Sequence, residues 1–280
     1  MKHYSSNRKY LSFSSAENLY GNDKLSTIGL DEPYVCFFAR SQKYLDTVYH
    51  KNTLHPNDIC RNHSIQAFKK MVQQLHDKDI SSVRMGYLVE GKVDWPGCID
   101  YANRFREEFL DFYVISKCKF LVVGYSGIMT IAIMFNRPLV IVDAHLVTYI
   151  GDTAPYLCRE RDLIIFKKLY HRTTNHYLTL KEMLEIEELI PNQYERMKYL
   201  LDNDYEFIEN TAEEIWEVAE EMLARCDTGI EELSPIDKKL RDKYWEIIME
   251  SVNKEGRKGI WYPEAMPGKA FLRKNQWWLE

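Results

Sequence analysis

The chain has 280 residues, 45% hydrophobic and 28% charged, a composition that excludes disordered, collagen-like and coiled-coil proteins and implies one large or two small globular domains. Lys and Arg total 37 against 42 Asp and Glu, and the net charge of −5 argues against a protein whose partner is the nucleic-acid backbone. Cys36, Cys60, Cys98, Cys118, Cys158 and Cys226 are scattered without a C-x-x-C pair or a preceding signal peptide, the pattern of reduced cytoplasmic thiols. The longest apolar runs, at 34–39, 120–124 and 138–142, fall short of the roughly 20 residues of a transmembrane helix. The 13% aromatic content is compatible with peripheral contact at the inner membrane face.

Residues 1–30 are polar, rich in Ser, Asn, Lys and Tyr, and are expected to be a lead-in or linker, with the folded domain occupying 31–280. YVCFFA at 34–39 is a short aromatic and β-branched run, as in a strand buried on both faces. After a His-, Asn- and Pro-rich loop at 50–62, Ile65, Phe68, Met71, Val72 and Leu75 recur at helical spacing, and SSVRMG at 81–86 reads as the next strand. A short segment around Ile99 follows, then a helix carrying Phe109, Leu110, Tyr113 and Val114, the strand ending at Gly124, a helix after Ser126, and PLVIV at 138–142. Strands separated by helical segments predict βαβ units, hence an α/β, Rossmann-like parallel sheet with helices on both faces. Past residue 160 a mainly helical tail is predicted, with capping boxes at Thr179-x-x-Glu182 and Thr211-x-x-Glu214 and a helix start at Ser234-Pro235. Trp277 and Trp278 read as docking anchors.

Ligands of open parallel sheets bind outside the carboxyl ends of the strands, and polar residues gather at those ends here. Gly124-Tyr125-Ser126-Gly127 precedes an apolar helix; it is either a phosphate-binding turn or a tight strand-to-helix turn with Ser126 as N-cap. Arg40 closes the first strand, where its fork suits a diphosphate or a carboxylate, or else an ion pair with Asp46 or Asp100. Arg61-Asn62 supplies a second phosphate contact or starts the next helix with Asn62 as its cap. Arg84-Met85-Gly86 can border a nucleobase or form an ordinary strand-ending turn. Asp100-Tyr101 can meet a base or ribose hydroxyls, or belong to the core, and Asp111 points inward or toward solvent.

The dinucleotide fingerprint, the P-loop and the G-x-S-x-G elbow are absent from the sequence. His50, His55 and His63 match no metal-ligand spacing and are expected to be surface loop histidines, and Asp77-Lys78-Asp79 and Asp202-Asn203-Asp204 are not placed for the crevice. No metal or cofactor is expected.

The order FFAR (37–40), Arg61-Asn62, VRMG (83–86), IDYA (99–102), FLDFYVISKCKFLVVGYSG (109–127) and NRPLVIV (136–142) resembles the C-terminal, donor-binding half of a bacterial GT-B-type glycosyltransferase family. IIFKKLY (164–170), LTLKEML (178–184), ENTAEEI (209–215), LSPIDKKL (233–240) and FLRKN (271–275) are similar to its tail, so the likeness covers about residues 30 to 280. The resemblance implies metal-independent transfer of a sugar from a nucleotide-sugar donor to a glycan, lipid or protein acceptor, as in cell-surface polysaccharide synthesis. It implies that Arg40 faces the diphosphate, that Ser126 and Gly127 bind it beside Tyr125, and that Arg84 to Gly86 and Asp100 to Tyr101 border the nucleoside. Two features depart from the family. Ser41 stands where an acidic residue usually follows the strand-one Arg, and the chain begins about where the second of two Rossmann-like domains would begin. The expected alternative is therefore a non-catalytic nucleotide-sugar-binding remnant, or a subunit needing a separate acceptor domain; no catalytic base is assigned.

Overall fold

The computed structural model describes residues 9–49, 56–147, 149–150, 160–230, 232–254, 260–261 and 264–280; His50, His55 and Cys158 lie outside them. Seven parallel strands form the main sheet: β1 (Tyr34–Phe38), β2 (Ser81–Arg84), β3 (Cys98–Ile99), β4 (Leu121–Val123), β5 (Leu139–Ala144), β7 (Leu163–Phe166) and β12 (Met266–Pro267). Their order is β12-β7-β5-β4-β1-β2-β3. The chain moves outward one way from β1 through β2 to β3, then returns to place β4 on the other side of β1 and continues to β5 and β7. The direction of travel therefore reverses between β1 and β4, which is where an α/β sheet opens a crevice at its carboxyl edge.

The central strands read as continuous apolar runs because both faces are covered. The Tyr34 hydroxyl donates to the Val114 carbonyl 2.8 Å away, whereas the Phe37 ring stacks on Phe68 at 5.4 Å. Three residues apart on a strand, these side chains point to opposite faces, so each face has its own helical layer. One layer holds α6 (Glu108–Lys117) and α7 (Met129–Met134), the other α4 (Lys69–His76) and α10 (Ala212–Thr228). The sheet is α/β and Rossmann-like.

The segment 1–30, expected as a linker, contains a helix, α1 (Ser15–Thr27), begun by a Ser14/Glu17 capping box and docked on α6. Gly21 allows the approach, since a Cβ there would lie 2.4 Å from the Tyr113 ring. The stretch 50–62, expected as a loop, contains a helix, α3 (Pro56–Arg61); α2 (Lys43–Tyr49) comes before it, and a short α5 (Tyr101–Arg104) precedes α6. The tail is less uniformly helical than expected. Besides β7 it contains an antiparallel sheet of β8 (Lys168–His171), β9 (His176–Tyr177) and β10 (Tyr205–Ile208), and β6 (Tyr149–Ile150) pairs with β11 (Ile260–Trp261). Thr179 and Thr211 form the expected capping boxes of α8 (Leu180–Leu189) and α10, and Ser234 caps α11 (Pro235–Val252). Between α8 and β10 lies α9 (Gln193–Asp202), and the last helix is α12 (Lys269–Lys274). The buried Trp278 packs 5.2 Å from Phe166 and 6.2 Å from Tyr244, so it anchors the end of the chain on the sheet layer.

Candidate functional site

A cavity of about 620 Å³ opens at the carboxyl edge beside the β1/β4 reversal. Its wall is built from Arg40, Ser41 and Phe38 after or within β1; Tyr44 and Leu45 on α2; Gly86 to Val89 after β2; and Ser126, Gly127, Ile128 and Ile131 after β4. Asp58 and Arg61 come from α3 and Asp111 from α6. Arg40, Arg61, Gly86, Ser126 and Gly127 thus share one wall system. Such a volume is in the range of pockets that enclose small organic ligands.

Arg40 is held on three sides. Its guanidinium donates to the Asp58 carbonyl at 3.1 Å, to Asn62 Oδ1 at 2.6 Å and to Asp58 Oδ1 at 2.7 Å. Its ion-pair partner is therefore Asp58, not Asp46 or Asp100, because α3 lies over the β1 end. Asn62 is no helix cap: Ser64 caps the following turn, and Asn62 orients Arg40. Arg61 donates from Nε to the Tyr125 carbonyl at 3.2 Å and has no ion-pair partner among the described residues. Burial, and next the positive charge of Arg61, push the Arg40 guanidinium below its ordinary pKa. Two cations this close, one of them uncompensated, make a site that gains by taking up an anion.

The turn after β4 adds donors. Among the described residues the N–H groups of Ser126, Gly127 and Ile128 have no hydrogen-bond partner. Ser126 does not cap α7. Its hydroxyl donates to the Gly124 carbonyl at 3.1 Å, and α7 begins only at Met129 and runs for six residues. The free amides, and not a long helix dipole, are what this turn offers an anion. Tyr125 turns away, its ring 5.7 Å from His145.

Below the wall lies a buried polar pair. His63, expected on the surface, is 7% exposed: Gly124 leaves room for its ring, since a Cβ there would lie 2.4 Å from His63 Cε1. Its Nε2 accepts from the Arg40 backbone N–H at 3.1 Å, and its Nδ1 faces Asp143 Oδ2 at 3.6 Å. Asp143 is anchored by Asn210, whose backbone N–H donates to Oδ1 at 2.7 Å. Burial pushes His63 down to about 4 and Asp143 up to about 6. This pair fixes the turn that carries Arg40.

Four of the expected residues lie behind the cavity. Arg84, 2% exposed, donates to the Gly91 carbonyl at 2.9 Å and the Glu90 carbonyl at 2.5 Å, with Asp100 at 3.5 Å. Asp100 accepts from the Val93 N–H at 2.9 Å and Asn103 Nδ2 at 2.8 Å, and Met85 is buried. Arg84 and Asp100 brace the loop 86–97 from inside. Tyr101 is fully buried, its hydroxyl 2.9 Å from Asp111 Oδ1. Gly86 itself reaches the wall at φ 131°, where a Cβ would lie 2.6 Å from Val89 and 2.7 Å from the Phe38 ring.

The aromatic rim was not visible in the sequence. Tyr44 and Tyr87 meet edge-on at 6.1 Å, Arg106 stacks over Tyr87 at 4.1 Å, and Lys43 Nζ donates to the Val89 carbonyl at 3.0 Å, clipping α2 to the loop after β2. Among the described residues no group of three or more His, Cys, Asp or Glu is arranged to hold a metal ion, and no helix is long and apolar enough to cross a membrane.

No protein-family model and no curated protein matches the chain. Two solved structures are similar to it. The ADP-heptose lps heptosyltransferase II of E. coli is 19% identical over 47% of this chain and 38% of that one, with a TM-score of 0.36. A glycosyl transferase family 9 structure from Veillonella parvula is 11% identical over 77% of this chain and 54% of that one, with a TM-score of 0.44. The chain therefore spans about half or less of the length of each.

Proposed function

We propose that the chain is the donor-binding part of a glycosyltransferase of the GT-B type, which binds a nucleotide sugar in this cavity and transfers the sugar to a glycan, lipid or protein acceptor. The observation that carries the reading is the pairing of Arg40 and Arg61 beside the unbonded amides of Ser126 to Ile128, in a cavity whose remaining wall is apolar and aromatic apart from Ser41, Asp58 and Asp111. A diphosphate matches the cationic end, and a planar base matches the Tyr44 and Tyr87 end.

In the transfer step the acceptor oxygen forms a bond to the sugar's anomeric carbon as the bond from that carbon to the diphosphate oxygen breaks, and the acceptor's hydroxyl proton passes to solvent or to a base on the acceptor side. The leaving diphosphate gains negative charge, and preformed donors at that position lower the barrier. In this reading Arg61 supplies the free charge, Arg40 is the oriented second cation, and the turn amides complete the cradle. The acceptor side would be completed by a second Rossmann-like domain, in the cytoplasm or at the inner membrane face.

The test is calorimetric titration with pyrophosphate and a panel of nucleotide sugars, coupled to detection of released nucleoside diphosphate in the presence of candidate acceptors. Micromolar binding of one nucleotide sugar, weakened about 10- to 100-fold in Arg61→Gln, is expected. Failure of the wild type to bind pyrophosphate or any nucleotide sugar overturns the reading.

A further inference from the structure

The cavity holds one charged group that a cradle for phosphates does not need. Asp111 sits on α6 between Leu110 and Phe112, yet it lines the cavity together with the two arginines. Its carboxylate is fixed from behind. Tyr101 Oη lies 2.9 Å from Oδ1 and Arg106 donates to Oδ2 at 2.8 Å. The Tyr101 hydroxyl accepts the Glu107 N–H at 3.0 Å and shares its one proton between Asp111 Oδ1 and the Glu107 carbonyl, each 2.9 Å away, and Arg106 lies over the Tyr87 ring at 4.1 Å. The carboxylate therefore has one orientation, and its side chain is 19% exposed.

An ionised carboxylate offers about four acceptor positions and no donor. One is occupied by Arg106 and a second is reached by Tyr101, which shares its proton with the Glu107 carbonyl; the others are left on the cavity wall. Phosphate oxygens cannot use them, because both groups are anionic acceptors. Hydroxyl groups can. Burial raises the Asp111 pKa against the lowering effect of Tyr101 and Arg106, which marks a group partly stripped of water.

We propose that Asp111 is a specificity-determining residue that accepts hydrogen bonds from hydroxyl groups of the same ligand whose phosphates lie on Arg61 and Arg40. The proposal rests on the diphosphate reading and narrows it: the ligand carries an anionic end and a polyhydroxylated ring, either the ribose of a nucleotide or the sugar attached to it. Tyr101 acts through Asp111 as a positioning residue.

The experiment is calorimetric titration of the whole chain, as wild type and Asp111→Asn, with pyrophosphate, with ADP, CDP, GDP and UDP, and with ADP-glucose, UDP-glucose and GDP-mannose. Asn keeps the size and one acceptor oxygen for Tyr101. Pyrophosphate affinity is expected to stay within about twofold, while the hydroxyl-bearing ligand that the wild type prefers weakens about 10- to 100-fold. Loss already present with a nucleoside diphosphate assigns the contact to ribose; loss confined to a nucleotide sugar assigns it to the attached sugar. Tyr101→Phe, which preserves the buried ring, is expected to show a smaller loss with the same selectivity, and it serves in place of Asp111→Asn should that variant not fold. Equal loss for pyrophosphate and hydroxyl-bearing ligands, no loss, or a wild type that binds pyrophosphate but no hydroxyl-bearing ligand more tightly overturns the role of Asp111 and leaves the anion site standing. A wild type that does not bind even pyrophosphate overturns both.

Discussion

Replacing Arg84 with Met separates bracing from binding. The guanidinium is 2% exposed and serves the Gly91 and Glu90 carbonyls and Asp100. Methionine fills much of the space without restoring any of those contacts. Removing one member of a buried ion pair costs about 3–5 kcal/mol, because the remaining charge stays in a medium that solvates it poorly. Asp100 keeps the Val93 and Asn103 donors, and the ion-pair distance is a loose 3.5 Å, so the low end, about 3 kcal/mol, is expected. At about 2–4 °C per kcal/mol for a chain of this size, the midpoint of thermal unfolding should fall by roughly 6–12 °C. Circular dichroism melts of Arg84→Met, Asp100→Asn and the double variant measure this. The double variant should recover about 1–2 kcal/mol relative to additivity, since removing the carboxylate removes the stranded charge. A single-variant midpoint within 2 °C of wild type, or strict additivity, would refute the reasoning.

The His63–Asp143 pair has opposing proton linkage. His63 is held at about 4 against an ordinary 6.5, so between those values only the unfolded chain takes up its proton, and stability is lost as pH falls. Asp143 is held at about 6 against 3.8, so the folded chain takes up its proton first and stability is gained over nearly the same fall. Lys167, Glu209 and Arg40 face the pair and remain in both variants. Urea unfolding at pH 7 and pH 4.5, read relative to wild type, should therefore show His63→Gln gaining stability on acidification and Asp143→Asn losing it; identical slopes would contradict this. Gly86→Ala combines a left-handed backbone with a Cβ inside contact distance of Val89 and Phe38, and should cost about 2 kcal/mol or more, read as a Tm lower by at least about 4 °C. Glu221 accepts from Arg225 at 3.1 Å, Arg241 at 2.5 Å and the Lys269 N–H at 2.8 Å, joining α10, α11 and α12. Glu221→Ala should cost about 3 kcal/mol by removing the carboxylate that Arg225 and Arg241 share while each keeps a backbone carbonyl, and a change below 1 kcal/mol in urea unfolding would sink that view.

The strands at the centre of the sheet were legible because each is a local apolar run covered on both faces, as at Tyr34–Phe38 and Leu139–Ala144. The topological rule then put Arg40 and Ser126 at one edge without knowledge of any contact. What escaped was whatever depends on a partner distant in sequence. Met266–Pro267 has no strand signal of its own and is a strand only because β7 pairs with it. Lys168–His171 carries charge and is half-buried, so its alternation was hidden among helical patterns. Within the site, Arg84 and Asp100 sat beside the right strand ends but turn inward, because the loop they brace needs donors and acceptors of its own. Asp111 was ambiguous for the opposite reason: which way a helix faces is set by its packing, and its neighbours Leu110 and Phe112 differ, one buried and one 42% exposed. Nothing local distinguished His63 from the histidines of the preceding loop; its burial follows from Gly124, a residue 61 positions later with which it shares space.

The seating of Met266–Pro267 alongside Leu163–Phe166 has a consequence for biogenesis. Met266–Pro267 follows Leu163–Phe166 by about a hundred residues, so a ribosome must add that whole stretch before this border of the sheet can be capped, and until then the amide and carbonyl row of Leu163–Phe166 is open to any neighbouring chain. Emerging copies are therefore vulnerable to edge-to-edge association during that interval. Clipping residues 264–280 should convert a passing hazard into a lasting one, turning well-behaved material into aggregate even though the cavity at the opposite strands is untouched.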